Sequence, residues 1–352
     1  MVGATQSGKT SSIVIPAILE WSGAVVVASV KRDILDVTSK HRQELGNVEI
    51  LEPGLDDGKT WNPLEGISNY RQAMRVAHDM TVTTGESSDG AFWNNLAVKL
   101  LGTLFAIAIE QDQSIFNVVR VLESRNFEPW AFPERSTNAS ETLANLLKYE
   151  PKTLDSICVT TESMVLPWRF PQPAARVREV LQGSNSLFMC SPKGQQLHYE
   201  PLFRGALRMI LDEQQRLVDA RVQQKLLVVL DEAASVSSLD DLDLLAATVS
   251  GLDVTLLTVV QDFGQLTARW GPKASTIVNN HTTRLIFGGL SDPSAISFVP
   301  ELKRDADEKP ETPLRELSAG RAVLVANRRP AALIKTLPWW RSAHLRGLAS
   351  MT

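Results

Sequence analysis

Short apolar runs, several of them rich in β-branched side chains, recur along the chain between polar stretches. They fall at Ala24–Ala28, Val48–Leu51, Ser186–Cys190, Leu226–Leu230, Val254–Val260, Arg284–Phe287 and Ala322–Ala326. A continuous apolar run of this length predicts a strand buried on both faces, as in a parallel sheet. Between the first two runs the pattern predicts a helix from about Asp33 to Leu45, and Pro53-Gly54 stops the second run. Strand, helix and strand of these lengths open an α/β doubly wound fold.

The period changes at Trp61-Asn62-Pro63-Leu64. Trp93, Leu96, Ala97, Leu100, Leu101, Leu104, Phe105 and Ala108 keep the spacing of one helix face. Further helices are predicted over Phe116–Ser124, Ser140–Leu147 and Thr153–Val165, with Asn138 and Ser140-Glu141 supplying N-cap chemistry. This division predicts an all-α domain over 63–178, inserted into an α/β domain made of 1–62 and 179–352. A long amphipathic helix carrying Phe203, Leu207, Ile210, Leu211, Gln214, Leu217 and Val218 follows the Ser186–Cys190 strand. Residues 303–313 read as a charged loop, and no internal repeat is visible.

Composition narrows the class. The chain has 352 residues, 43% hydrophobic and 22% charged, which is an ordinary globular balance. A formal net charge of −4 gives no global basic field to draw it to nucleic acid, so any such contact rests on local basic positions. The two cysteines, Cys158 and Cys190, are far apart and read as buried reduced thiols. Leu100–Ile109, taken as the longest uninterrupted apolar helical stretch, is too short to span a bilayer. The chain as written therefore reads as cytoplasmic, without a membrane segment.

The first residues carry the strongest chemical signal. Gly3-Ala4-Thr5-Gln6-Ser7-Gly8-Lys9-Thr10, continued by Ser11, fits G-x-x-x-x-G-K-[ST], the phosphate-binding P-loop. Two glycines let the backbone turn so that successive N–H groups face a phosphate. Lys9 supplies a point charge for the outer phosphates and Thr10 a hydroxyl for Mg²⁺. A helix from Lys9 to Glu20 adds the positive end of its dipole. Such a loop is fed by a buried strand, yet only Met1 and Val2 precede Gly3: either the chain is cut or mis-started just upstream, or the first strand is absent.

Two later strands end in residues that complete this chemistry. Leu226–Leu230 runs into Asp231-Glu232, and Val254–Val260 into Gln261-Asp262. Ligands of doubly wound sheets bind beyond the carboxyl ends of the strands. Adjacent strands would bring Asp231 to the Mg²⁺ shell, Glu232 to an attacking water as general base, and Gln261 to the γ-phosphate.

These motifs, taken in order, resemble the TraG/TraD-type coupling proteins of conjugation and type IV secretion, relatives of the FtsK and HerA DNA translocases. Gly3–Thr10, Val25–Lys31, Pro53-Gly54, Trp61–Leu64 and Phe92-Trp93 carry the resemblance through the first third. Leu230–Ala233, Val259–Asp262 with Gln265-Leu266, Phe287–Gly289 with Asp292, Leu317–Ala322 and Pro338-Trp339-Trp340 carry it to the end. It implies a RecA-like P-loop ATPase with an inserted all-α domain. It also implies ATP and Mg²⁺ as cofactors, a homo-hexameric ring, and DNA, relaxase proteins and a secretion channel as partners. Its place would be the cytoplasmic face of the membrane if an upstream anchor exists. By position, Lys9, Thr10, Asp231, Glu232 and Gln261 take the motor roles.

The resemblance also marks departures. Ser250, before Gly251, stands where the family often has an arginine finger, and Arg284 and Arg269 are alternatives for it. Ser29 replaces a frequent acidic residue, while Lys31 is kept. Basic clusters at Arg176 and Arg178, Arg328 and Arg329, and Arg341 and Arg346 would make sequence-independent phosphate contacts. The competing reading is a catalytically weak recruitment module that docks a protein–DNA complex.

Overall fold

The computed structural model describes residues 1–55, 58–81, 88–134, 136–191, 194–236, 239–290, 317–326 and 329–349. Asp292, Arg328 and the charged run 303–313 lie outside the described residues. The chain divides into two units. The first holds Met1–Glu49, Arg178–Cys190 and Glu213–Thr352, and the second holds Ile50–Val177 and Ser191–Asp212.

The strands are β1 (Ala24–Ser29), β2 (Val48–Leu51), β3 (Ser186–Cys190), β4 (Leu226–Leu230), β5 (Val254–Thr258), β6 (Thr283–Phe287), β7 (Arg321–Ala326) and β8 (Ala332–Lys335). One sheet has the order β2-β3-β1-β4-β5. β1 lies parallel to β3 and β4, and β4 lies parallel to β5. Every residue of β1, β3 and β4 is buried, which is why these strands appear as unbroken apolar runs. β6, β7 and β8 form an antiparallel sheet. The fold is thus α/β, with a mostly parallel main sheet, as the sequence predicts.

Met1 and Val2 do what the sequence leaves unprovided. Val2 bridges in parallel to both Val260 and Ile286. Its N–H donates to the Leu285 carbonyl at 2.9 Å, and its carbonyl accepts from the Phe287 N–H at 2.8 Å. The Val260 N–H donates to the Met1 carbonyl at 2.9 Å. The P-loop is therefore fed by an extended segment lying between the end of β5 and β6. Backbone groups on both sides fix it and set the loop's starting point.

The helix after the P-loop also differs from expectation. Its first stretch, Thr10–Val14, is π-helical, and α-helix begins only at Ile15–Leu19. Pro16 has no N–H to give the carbonyl of Ser12, so a regular α ladder cannot run unbroken through this point. Asp33–Leu45 forms the predicted helix and ends at Gly46. From its inner face the fully buried Arg42 reaches into the sheet. Its guanidinium donates to the carbonyls of Trp21, Gly23 and Ser184 and to Ser186 Oγ.

In the second unit the helix Ser88–Glu110 is central, with Leu100, Leu101, Leu104, Phe105 and Ala108 fully buried. Helices Tyr70–Asp79, Ile115–Ser124, Asn138–Leu146 and Pro151–Val165 pack against it. Its stretch Gly90–Glu110 is 21 residues and apolar enough, by length and composition, to cross a membrane. The sequence reading placed that limit at Leu100–Ile109. The additional length comes from the turns before Leu100, and the helix serves here as the core of its unit. The N-cap of Asn138–Leu146 is Thr137, with Ser140 as its reciprocal partner in a capping box. Cys158 and Cys190 are both buried, and neither is in a disulfide.

Candidate functional site

The P-loop turns where its sequence permits. Gln6 and Gly8 both have positive φ, at 64° and 92°. A Cβ on Gly3 would stand 2.5 Å from Phe287 Cβ, so the first glycine lets the loop leave the sheet beneath β6. The Ser7 N–H donates to the Ala4 carbonyl at 3.2 Å, and the Ser12 N–H to the Gly8 carbonyl at 2.9 Å. Lys9 is almost entirely buried. Its ammonium lies back along the loop, donating to the Gly3 carbonyl, to the Ala4 carbonyl at 2.8 Å and to Ser7 Oγ at 3.4 Å. Burial lowers its pKa, while Asp231 and Glu232 pull it upward.

The neighbouring strand tips deliver the acidic pair. The Asp231 N–H still joins the ladder, donating to the Ala28 carbonyl at 2.9 Å. Glu232 then adopts φ of 55°, and the chain leaves the sheet at that residue. Left-handed backbone in a side-chain-bearing residue is uncommon and gathers at functional sites. Its carboxylate meets Lys31 Nζ at 3.7 Å. Asp231 is 6% exposed, and its pKa is pushed up to about 6. Burial is the main cause, followed by the charges of Asp33 and Glu232; a hydrogen bond from Ser29 and the charge of Lys31 oppose it.

Thr5, Gln6, Ser7, Gly8, Lys9, Thr10 and Ser11 line one cleft with Lys31, Asp33, Asp231, Glu232 and Gln261. Its volume is about 490 Å³, within the range of ligand clefts. Gly3 and Ala4 underlie the loop rather than line the cleft. Backbone donors, a lysine, a hydroxyl and crowded carboxylates thus converge. This donor set suits a phosphorylated ligand accompanied by a divalent cation.

Other expected residues lie elsewhere. Arg284, at the start of β6, lines a small separate cavity with Met1, Thr258 and His281. Arg269 pairs with Asp240 at 3.2 Å. Ser250 is exposed, in the short helix Val249–Leu252. Arg176, Arg329, Arg341 and Arg346 are exposed, and Arg178 is half-buried. Gln265 sits in the first turn of the helix Phe263–Trp270, which Asp262 caps: its Oε1 accepts from the Gln261 N–H at 3.1 Å. Its own N–H donates to Asp262 Oδ1 at 2.7 Å. Asp33 and Trp339-Trp340 border the cleft although sequence chemistry gave them no part in it. The position of Asp33 two residues beyond Lys31, at the start of the helix that follows β1, was the available signal.

Comparison with known proteins gives a consistent picture. VirD4 of Rhizobium radiobacter is 21% identical over 323 residues, covering 85% of this chain and 47% of that protein. The conjugal transfer protein TraG of Escherichia coli is 23% identical over 321 residues, covering 79% and 50%. The chain spans about half the length of the curated relatives it matches. Among solved structures, the plasmid coupling protein TrwB in complex with ADP and Mg²⁺ superposes with a TM-score of 0.72. It is 18% identical, covering 96% of this chain and 84% of that one. TrwB with the GTP analogue GDPNP gives 0.70 at 18% identity, covering 95% and 84%. These likenesses show the RecA-like P-loop fold. Residues 1–298 match the family model described as type IV secretory system conjugative DNA transfer, and the chain belongs to that family.

Proposed function

We propose that the chain binds magnesium–ATP in the P-loop cleft and hydrolyses it to drive DNA in conjugative transfer. The convergence of Lys9, Thr10, Asp231, Glu232 and Gln261 on one cleft carries this reading. When bound, magnesium–ATP supplies the scissile phosphoanhydride and a cation that offsets charge on its oxygens. The loop N–H groups from Thr5 to Ser11 hold the phosphates. Lys9 exchanges the Gly3 and Ala4 carbonyls for phosphate oxygens. Thr10 and Asp231 would hold the metal. Glu232 takes the proton of the attacking water, and Gln261 senses the γ-phosphate through its amide. Arg284 does not line this cleft, so a finger role for it requires the cleft of a neighbouring copy, consistent with a homo-hexameric ring.

The same reading assigns the α/β part to the motor and the all-α part to recruitment of a relaxase–DNA complex. It places the protein at the cytoplasmic face of the membrane, beside a type IV secretion channel. A catalytically weak recruitment module is the second reading, favoured by Ser250 at the usual finger position. DNA-stimulated ATP turnover separates the two. The motor reading predicts turnover that rises with added DNA and is lost in Lys9→Ala; turnover indifferent to Lys9 overturns it.

A further inference from the structure

The cleft has a second, chemically different end. Beyond the phosphate-binding residues its wall is formed by Ile15, Val37, Trp339 and Trp340. Ile15, on the helix that leaves the P-loop, belongs to an apolar cluster with Leu19, Leu345 and Ala349, and Val37 and Trp339 pack against it. The C-terminal helix Ala343–Leu348 thus seats the Pro338-Trp339-Trp340 turn on the P-loop helix. Arg346 fixes the turn from behind, its guanidinium donating to the Trp340 carbonyl at 2.7 Å. Trp339 stands edge-on to Trp340, with ring centroids 5.7 Å apart at 84°. Trp339 is therefore held in the packing, while Trp340 stays 48% exposed at the cleft.

An indole exposed at the wall of a ligand cleft offers its face to whatever the cleft binds. A flat aromatic partner is the ligand that fits, because stacking uses the ring face.

Resting on the nucleotide reading above, we infer that Trp340 is the stacking platform for the nucleobase, with Trp339 and Arg346 as the residues that position it. Stacking reads a ring face rather than a hydrogen-bonding edge, so this subsite accepts adenine and guanine alike. The base therefore adds affinity, and the phosphates supply the orientation for chemistry.

Calorimetric titration of wild type, Trp340→Ala and Trp340→Phe with MgATP, MgGTP and magnesium tripolyphosphate tests this. Trp340→Ala is expected to bind both nucleotides about ten-fold more weakly, the scale of one base–aromatic stack. Tripolyphosphate, which has no base, should bind as to wild type, and Trp340→Phe should recover most of the loss. Unchanged nucleotide affinity in Trp340→Ala overturns the platform while leaving the phosphate site intact. Equal losses for tripolyphosphate and nucleotide overturn it too, since the residue would then act only through folding. A wild type that binds none of the three overturns the nucleotide reading itself.

Discussion

Ser29 donates its hydroxyl to Asp231 Oδ2 across 3.3 Å, joining the tips of β1 and β4. Ser29 Oγ in turn accepts the Lys31 N–H at 3.2 Å. The residue that departs from the family's acidic preference therefore supports the acidic pair. A carboxylate at position 29 would add a further negative charge beside Asp33, Asp231 and Glu232. The serine instead favours the ionised form of Asp231, the form able to ligate a metal.

Removing that bond has a defined consequence. Ser29→Ala should push the Asp231 pKa further above about 6, since the Ser29 bond opposes the rise. Magnesium–nucleotide binding should weaken severalfold near pH 6.5 and recover towards pH 8. Affinity measured across that range in both proteins checks it; a parallel loss at every pH argues against the linkage.

Asp231 also sets a cost to the fold. Its pKa is about 6 in the folded chain against 3.8 for a free aspartate. A raised pKa means the folded state holds the extra proton between these values. The stabilisation is complete below pH 3.8 and is lost as pH rises through about 6. The difference corresponds to roughly 3 kcal/mol above pH 7. Asp231→Asn removes the charge, so the nucleotide-free variant should melt a few degrees above wild type at pH 7.5. It should match wild type near pH 4 and gain no further stability from magnesium–ATP.

The strands were legible where burial is two-sided. β1, β3 and β4 have no exposed residue, so composition alone marks them. β8 has an exposed, mixed face and left no comparable pattern. Asp231-Glu232 was legible because polar residues at the end of an apolar run stand out. Met1-Val2 is too short for any periodicity, and its role is carried by backbone bonds to β5 and β6. Trp339-Trp340 was visible as a motif, but its place beside the P-loop depends on Leu345 packing against Ile15, far away in sequence.

Arg42 shows the same limit in the core. Its partners come from Trp21, Gly23, Ser184 and Ser186, so nothing local marks it as buried. Burial pulls its pKa down to about 10, which leaves it charged at neutral pH. Arg42→Met would orphan the carbonyls it now satisfies between the starts of β1 and β3. Each buried unsatisfied acceptor costs about 1–3 kcal/mol. We expect a loss of at least about 2 kcal/mol in urea unfolding, with the magnesium–nucleotide affinity of the folded fraction unchanged.

Phosphate release from magnesium–ATP, followed side by side in wild type, Lys9→Ala and Glu232→Gln alongside nucleotide affinity, tests the central claim most directly. The account predicts turnover in wild type only. Lys9→Ala should lose binding and turnover together, whereas Glu232→Gln should bind as tightly as wild type and hydrolyse more slowly by a factor of about a hundred at least. Wild-type turnover in Glu232→Gln, or tight binding and turnover retained in Lys9→Ala, would contradict it.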